Sequence, residues 1–298
     1  MSDDRKVVVV TGGASGIGLA AVRSFAEQGA HVCILDVSQQ GASIVKGLAS
    51  EYSQASFSFH NADITDWDAL AQTFEQIYVE QGRICMVYAN AGISQEVPFT
   101  ILEEKPSKPQ LPTLEINLIG TIYSMPQIHL SRVVQKLMSL VAVKLATHYL
   151  MKNEIVNSAK APTRGSILIT ASIAALYPFP IAPIYAATKH GVVGLVRSLA
   201  PHLEKVAIQI NAVAPAFIKT NLAADGLQSV VFKKVVLTPM STLTRGVQQL
   251  VSNPSFSGQL AVVHGDNVTM SFPPAFVDED TENNIETLWK LGIGAAST

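Results

Sequence analysis

Apolar residues in this chain come in short unalternated blocks, separated by stretches of helical periodicity. Residues 6–11 read Lys-Val-Val-Val-Val-Thr and residues 31–36 read His-Val-Cys-Ile-Leu-Asp. A run with no polar alternation suits a parallel strand covered on both faces. Between the two runs, residues 19–28 carry apolar positions at helical spacing and stop at Gly29. The pattern predicts helices over 38–52 and 67–82 and strands over 55–60 and 83–88. Residues 94–112 hold four prolines between Pro98 and Pro112 and read as a loop. A helix is then expected from Thr113, and strands over 165–172, 206–213 and 257–265. A long helix is expected over 184–203 and a tail helix over 278–291. Residues 221–246 read as a lid, with Leu222, Leu227, Phe232, Met240 and Leu243 turned toward a substrate. Strands alternating with helices predict the α/β class with a doubly wound parallel sheet in a single domain.

Composition narrows the function. Hydrophobic residues make up 48% of the 298 and charged residues 15%, and the mean hydropathy is +0.28. This is ample for a sizeable core and for subunit pairing. The net charge of -2 argues against nucleic acid or an anionic membrane as partner. No run reaches the ~18 apolar residues of a membrane span, and the N-terminus lacks the apolar stretch of a signal peptide. Cys33 and Cys85 lie in apolar strand-like runs. They read as buried hydrophobes rather than as a disulfide or metal pair, so no metal is expected and the location is read as cytoplasmic.

The first strand, a glycine-rich turn and a helix follow one another. Thr11-Gly-Gly-Ala-Ser-Gly-Ile-Gly18 forms the turn. Glycines let a backbone approach a pyrophosphate, and a helix N-terminus offers free N–H groups and partial positive charge. The second strand ends at Asp36, about 20 residues beyond the glycines, where a carboxylate accepts hydrogen bonds from a ribose diol and repels a 2′-phosphate. Neither the glycine loop nor the residues just after Asp36 hold Arg or Lys. NAD is therefore expected over NADP. Asp63 either bonds the adenine amino group or serves as a helix cap beside Thr65 and Asp66. The small residues of Asn90-Ala91-Gly92 would let the cofactor lie close to the backbone.

Tyr185 and Lys189 are four positions apart, hence on one face of the long helix. A phenol has a pKa near about 10, and an ammonium one turn away favours its phenolate. Ser172 could hydrogen-bond an oxygen that gains or loses a proton. Four features now stand in order: Thr11-Gly-x-x-x-Gly16-x-Gly18, Asn90-Ala91-Gly92, Ser172 and Tyr185-x-x-x-Lys189, with Ser172 and Tyr185 13 positions apart. Over about residues 5–222 the chain resembles the single-domain short-chain dehydrogenases/reductases. Its aromatic loop and tail resemble hydroxyprostaglandin-dehydrogenase-like members.

The resemblance implies a Rossmann-like domain over 1–265, with 266–298 as a tail carrying one helix. It implies a nicotinamide cofactor, an apolar secondary alcohol or ketone as substrate, and a homodimer or homotetramer. Asn117, Ser172, Tyr185 and Lys189 would be catalytic, with Asn117 bending its helix and holding a relay water. Cofactor contacts would come from Thr11, Gly12, Ser15, Gly16, Ile17, Gly18, Asp36, Asp63, Ile64, Asn90, Ala91, Gly92, Tyr185, Lys189, Pro215, Ile218 and Thr220. Two departures stand out. Pro215-Ala216 replaces the family's Pro-Gly. Asn117 and Ser172 are also 55 positions apart, roughly twice the usual gap, with an insert expected at about 125–143. The insert is either a genuine element or unspliced intron. Two rival functions follow, an NAD-binding scaffold disabled by the insert and a non-redox isomerase on the same scaffold.

Overall fold

The computed structural model describes residues 5–94, 111–121, 142–157, 160–220 and 234–295. Its first strand, β1 (Val7–Thr11), is buried along its whole length. It lies between β2 (His31–Asp36) and β4 (Met86–Ala89), parallel to both. β3 (Ser56–Asn61) extends the sheet beyond β2. On the other side follow β7 (Gly165–Thr170), β8 (Ile208–Pro215) and β9 (Leu260–His264), all parallel. A last strand, β10 (Asn267–Ser271), runs antiparallel to β9. The order is β10-β9-β8-β7-β4-β1-β2-β3, and a separate two-stranded hairpin joins β5 (Val156–Asn157) to β6 (Pro162–Thr163).

Helices cover both faces, as parallel crossovers require. The helices α1 (Gly16–Ala26), α2 (Gly41–Glu51) and α7 (Met240–Val251) bury Val22, Phe25, Leu48, Val247 and Leu250 against Val8 and Val10 of β1. On the opposite face α3 (Trp67–Gln81), α5 (Ala142–Met151) and α6 (Pro183–Glu204) bury Phe74, Leu150 and Val196 against Val7 and Val9. One strand of consecutive valines thus feeds two cores, which is why its sequence lacks alternation. Between β4 and α5 lies the short helix α4 (Pro112–Leu114), which runs on as a π-helical turn, Glu115–Gly120.

The expected strand and helix order holds for the described residues, with four shifts. The sheet continues past residue 265 through β10, whose pairing with β9 across Gly265 its own sequence did not signal. β8 starts at Ile208 because Lys205–Ala207 form a turn, with Ala207 at φ 58. Helix α7 begins at Met240, and Leu243 is 0% exposed in the core against the sheet. Leu243 therefore packs the fold and does not face a substrate; Leu222, Leu227 and Phe232 lie outside the described residues. Ala142 and Val143, at the end of the expected insert, open α5 and are buried in the core. The rest of that insert lies outside the described residues. C-terminally, α8 (Glu279–Ala295) leaves Leu288, Trp289 and Leu291 exposed.

The position of Leu243 yields a stability prediction. Leu243→Ala should lower unfolding free energy by about 2–5 kcal/mol, as for other buried leucines. Urea unfolding reads the effect; an unchanged urea midpoint would return Leu243 to the lid.

Candidate active site

The strand order reverses between β1 and β4, and a cleft of about 430 Å³ opens at their C-terminal ends. Such a switch point is where open α/β sheets bind ligands. The Thr11 hydroxyl accepts hydrogen bonds from the backbone N–H of Asn90 at 3.0 Å and of Ala91 at 3.1 Å. The Asn90 amide donates in return to the carbonyls of Thr11 and Gly12, each at 3.2 Å. Gly18 fits because a Cβ there would lie 2.0 Å from the Gly12 carbonyl oxygen. The turn therefore brings α1 against the end of β1 without a side chain between them. Ser15 occupies the N-cap of α1 with no side-chain cap bond, and Ser15, Gly16 and Ile17 line the cleft. The first N–H groups of this helix point to an anion-binding end.

At the far rim, Asp36 accepts from the Ala14 N–H and from the Ser38 N–H, each at 3.0 Å. Its carboxylate thus braces the glycine loop as well as lining the cleft. Asp63 also lines the cleft, and its Oδ1 accepts from the backbone N–H and hydroxyl of Thr65, each at 2.8 Å. The N-cap of α3 is Asp66, which accepts from Ala69 N–H.

Ser172, Tyr185 and Lys189 line the opposite end of the cleft. Ser172 caps a 3₁₀ turn, Ile173–Ala175, accepting from Ala174 N–H at 3.1 Å, and its side chain also hydrogen-bonds Tyr185. Lys189 Nζ donates to the Thr170 carbonyl at 2.7 Å and lies 5.6 Å from the centre of the Tyr185 ring. Burial pushes the Lys189 ammonium down to about 8. Burial also pushes the Tyr185 phenol up, and the Ser172 hydrogen bond only partly offsets it. The expected net lowering of Tyr185 is thus opposed by burial in the cleft: desolvation works against either charge in a closed site. Asn117 is buried in the π-helical turn, and its side chain makes a reciprocal pair with Ile93, accepting from the N–H and donating to the carbonyl, each at 2.7 Å. The side chain is therefore committed to the loop after β4, and a relay contact from this residue would come from its backbone.

The short chain dehydrogenase family model matches residues 6–138 and 126–229. The chain belongs to this family. The two matched stretches overlap within the segment expected as an insert. Over 223 residues the chain is 37% identical to short-chain dehydrogenase/reductase prx4 of Penicillium roqueforti, covering 74% of this chain and 56% of that protein. The match thus spans little more than half the length of that relative. The prx4 protein of Penicillium rubens is 33% identical over 289 residues, covering 89% of this chain and 76% of that protein. Among solved structures, ElxO with NADP bound superposes with a TM-score of 0.68 at 25% identity, covering 88% of this chain and 98% of that one. The NADPH-dependent 3-quinuclidinone reductase of Rhodotorula rubra shares the fold, with a TM-score of 0.67 at 23% identity over 88% of this chain and 90% of that one.

Within the chain, three of the expected residues stand behind the cleft rather than on it. Thr11 and Gly18 shape the loop, and Asn117 holds Ile93. Gly12, Ile64, Asn90, Ala91, Gly92, Pro215, Ile218 and Thr220 do line it, with Asp36, Asp63, Ser172, Tyr185 and Lys189. Sequence reading missed Leu35, Val37, Ala62, Ile93, Ile116, Thr170 and Ala171, which also line it. All but Ile116 lie at or within a few residues of a strand's C-terminal end, which is the signal that could have found them. Ala216 lines the cleft without a left-handed φ, so the change from glycine carries no backbone strain.

Lys189 sets a pH dependence of stability. Its folded pKa of about 8 lies below the ordinary 10.5. Between these values the unfolded chain holds a proton that the folded one lacks, so this contribution rises with pH. Tyr185, raised in the fold, acts oppositely only above pH 10. The melting temperature of wild type relative to Lys189→Met should therefore climb from pH 8 to pH 10 in the cofactor-free protein; a flat difference would show that Lys189 is not buried.

Proposed function

We propose that this chain transfers hydride between NAD and an apolar secondary alcohol or ketone, with Tyr185 as acid and base. The observation that carries the reading is one cleft joining an uncapped helix N-terminus to a Ser172–Tyr185–Lys189 cluster. The residues fit a dinucleotide: Gly12 and Gly18 allow close backbone approach, the N-terminus of α1 suits a pyrophosphate, and Asp36 suits a ribose diol. When bound, the oxidised dinucleotide supplies a positively charged ring that accepts hydride from the alcohol carbon.

The remaining work falls to the chain. Ser172 donates a hydrogen bond to the substrate oxygen and holds it against Tyr185. As phenolate, Tyr185 takes the hydroxyl proton while the C–H electron pair leaves as hydride, and a ketone forms. Lys189 then passes the proton toward solvent, since an ammonium poised near neutrality gives and takes protons readily. In the reduction direction Tyr185 returns the proton to the carbonyl oxygen. Asn117 supports the relay through its backbone and fixes Ile93 in the cleft wall.

Aromatic rings gather beside Tyr185. The rings of Phe179 and Tyr185, and of Phe179 and Phe217, lie 6.4 Å apart. Lys189 is the only cation among the described residues lining the cleft. This supports an apolar, uncharged substrate. The gathered cluster favours turnover over the disabled-scaffold reading, and the dinucleotide-shaped loop in the same cleft favours redox chemistry over isomerisation. A cytoplasmic homodimer or homotetramer completes the proposal. The exposed Phe272, Leu288, Trp289 and Leu291 support subunit pairing, and among the described residues no helix is long and apolar enough to cross a membrane.

Tyr185→Phe should keep NAD affinity within about twofold and cut turnover by at least ~100-fold, the usual range for a lost general acid–base. A panel of secondary alcohols with absorbance at the NADH band measures it; near-normal turnover removes Tyr185 from the mechanism. For the cofactor, calorimetry should find NAD binding about tenfold or more tighter than NADP, a difference of ~1.4 kcal/mol or more, with Asp36→Ser closing the gap. Tighter NADP binding by the wild type would overturn the NAD assignment and align this chain with the NADP-bound ElxO.

A further inference from the structure

The ends of β4 and β7 lie side by side at the cleft. Their backbone ladder ends at Ala89 opposite Ile169. One step further on, side chains take over the joining of the two strands. The Thr170 hydroxyl donates to Asn90 Oδ1 at 3.0 Å and hydrogen-bonds the Tyr88 hydroxyl at 2.8 Å. Asn90 in turn holds the carbonyls of Thr11 and Gly12. The carbonyl of the same Thr170 receives Lys189 Nζ. One residue thus touches the brace of the nucleotide loop with its side chain and the catalytic cation with its backbone.

The burial of the partners makes this link stiff. Tyr88 is 0% exposed, so its hydroxyl has no water to turn to if Thr170 is lost. A buried polar group deprived of its partner shifts its neighbours or stays unsatisfied. Either response moves Thr170, and with it the carbonyl that locates Lys189.

We propose that Thr170, held in place by Tyr88, is a positioning residue that couples the dinucleotide loop to Lys189. Its kinetic consequence rests on the hydride-transfer reading above; the coupling itself does not. Occupation of the loop bears on Asn90, Asn90 on the Thr170 hydroxyl, and Thr170 on the site of Lys189. The link is stated as a contiguous hydrogen-bond chain, so it is broken at one atom.

Thr170→Val keeps the shape and removes that atom, Thr170→Ser restores it, and Tyr88→Phe removes the outer support. In the full chain, calorimetry gives the NAD dissociation constant. NMR of ¹³C-labelled lysine follows the Lys189 titration, assigned by its absence in Lys189→Met, and the pH profile of kcat follows turnover. Thr170→Val should weaken NAD binding by about fivefold, the effect of one hydrogen bond, and displace both the Lys189 titration and the pH limb of kcat. Thr170→Ser should return all three to within about twofold, and Tyr88→Phe should shift them in the same direction as valine. A merely structural role would lower the melting temperature and leave the Lys189 titration in place. Native NAD affinity and native Lys189 titration in Thr170→Val would overturn the proposal, as would a serine variant as impaired as the valine one. If Thr170→Val does not fold, Tyr88→Phe decides by the same two readouts. If the wild type turns over no alcohol, the hydride-transfer reading fails while binding and NMR still decide the coupling.

Discussion

A parallel sheet buried on both faces admits chemistry only at its edges. Each crossover returns over a face, so every parallel strand ends along the same edge, where the following helices begin. In this chain that edge collects Thr11, Asp36, Asn90, Thr170 and Pro215 from five strand ends. The reversal of strand order beside β1 keeps the connections from covering the middle of the edge. The cleft is therefore a consequence of topology before it is a consequence of any motif. Close approach then sharpens it. With 2.0 Å from a Gly18 Cβ to the Gly12 carbonyl oxygen, only glycine lets α1 start beside β1.

Inside the cleft, burial and hydrogen bonding compete over the same two groups. Desolvation raises Tyr185 and lowers Lys189, so burial works against the charged form of both. The Ser172 hydrogen bond partly offsets it at Tyr185, and the Thr170 carbonyl accepts from Lys189 Nζ. Binding of a positively charged ring would tilt that balance toward phenolate. With Lys189 at about 8, both of its protonation states lie within reach of neutral pH.

Much of this was legible along the chain, for identifiable reasons. Strands 31–36 and 165–170 were readable because their inner positions, Val32, Cys33, Ile34 and Leu35 and then Ile167, Leu168 and Ile169, are buried and apolar without alternation. The glycine spacing and the Tyr185–Lys189 pair were readable because their requirements are local: one turn, or one helical repeat. What escaped depends on distant partners. β10 has an unremarkable sequence and exists because β9 offers it an edge. Leu243 looks the same whether it faces a substrate or a sheet, and only the packing of α7 decides. That the Asn117 side chain holds Ile93, 24 residues earlier in the chain, likewise follows from the fold alone.

By itself, the sequence determined the strand-and-helix order, the glycine loop and the residue types that can move a proton. These follow from periodicity and from steric rules acting over a few residues. The tertiary structure decided which of those residues share a cleft, which stand behind it, and how burial sets their charge. Those outcomes depend on groups brought together across tens of residues, such as Thr170 with Tyr88 and Asn90. Desolvation and hydrogen bonding act through space, and no spacing along the chain encodes them.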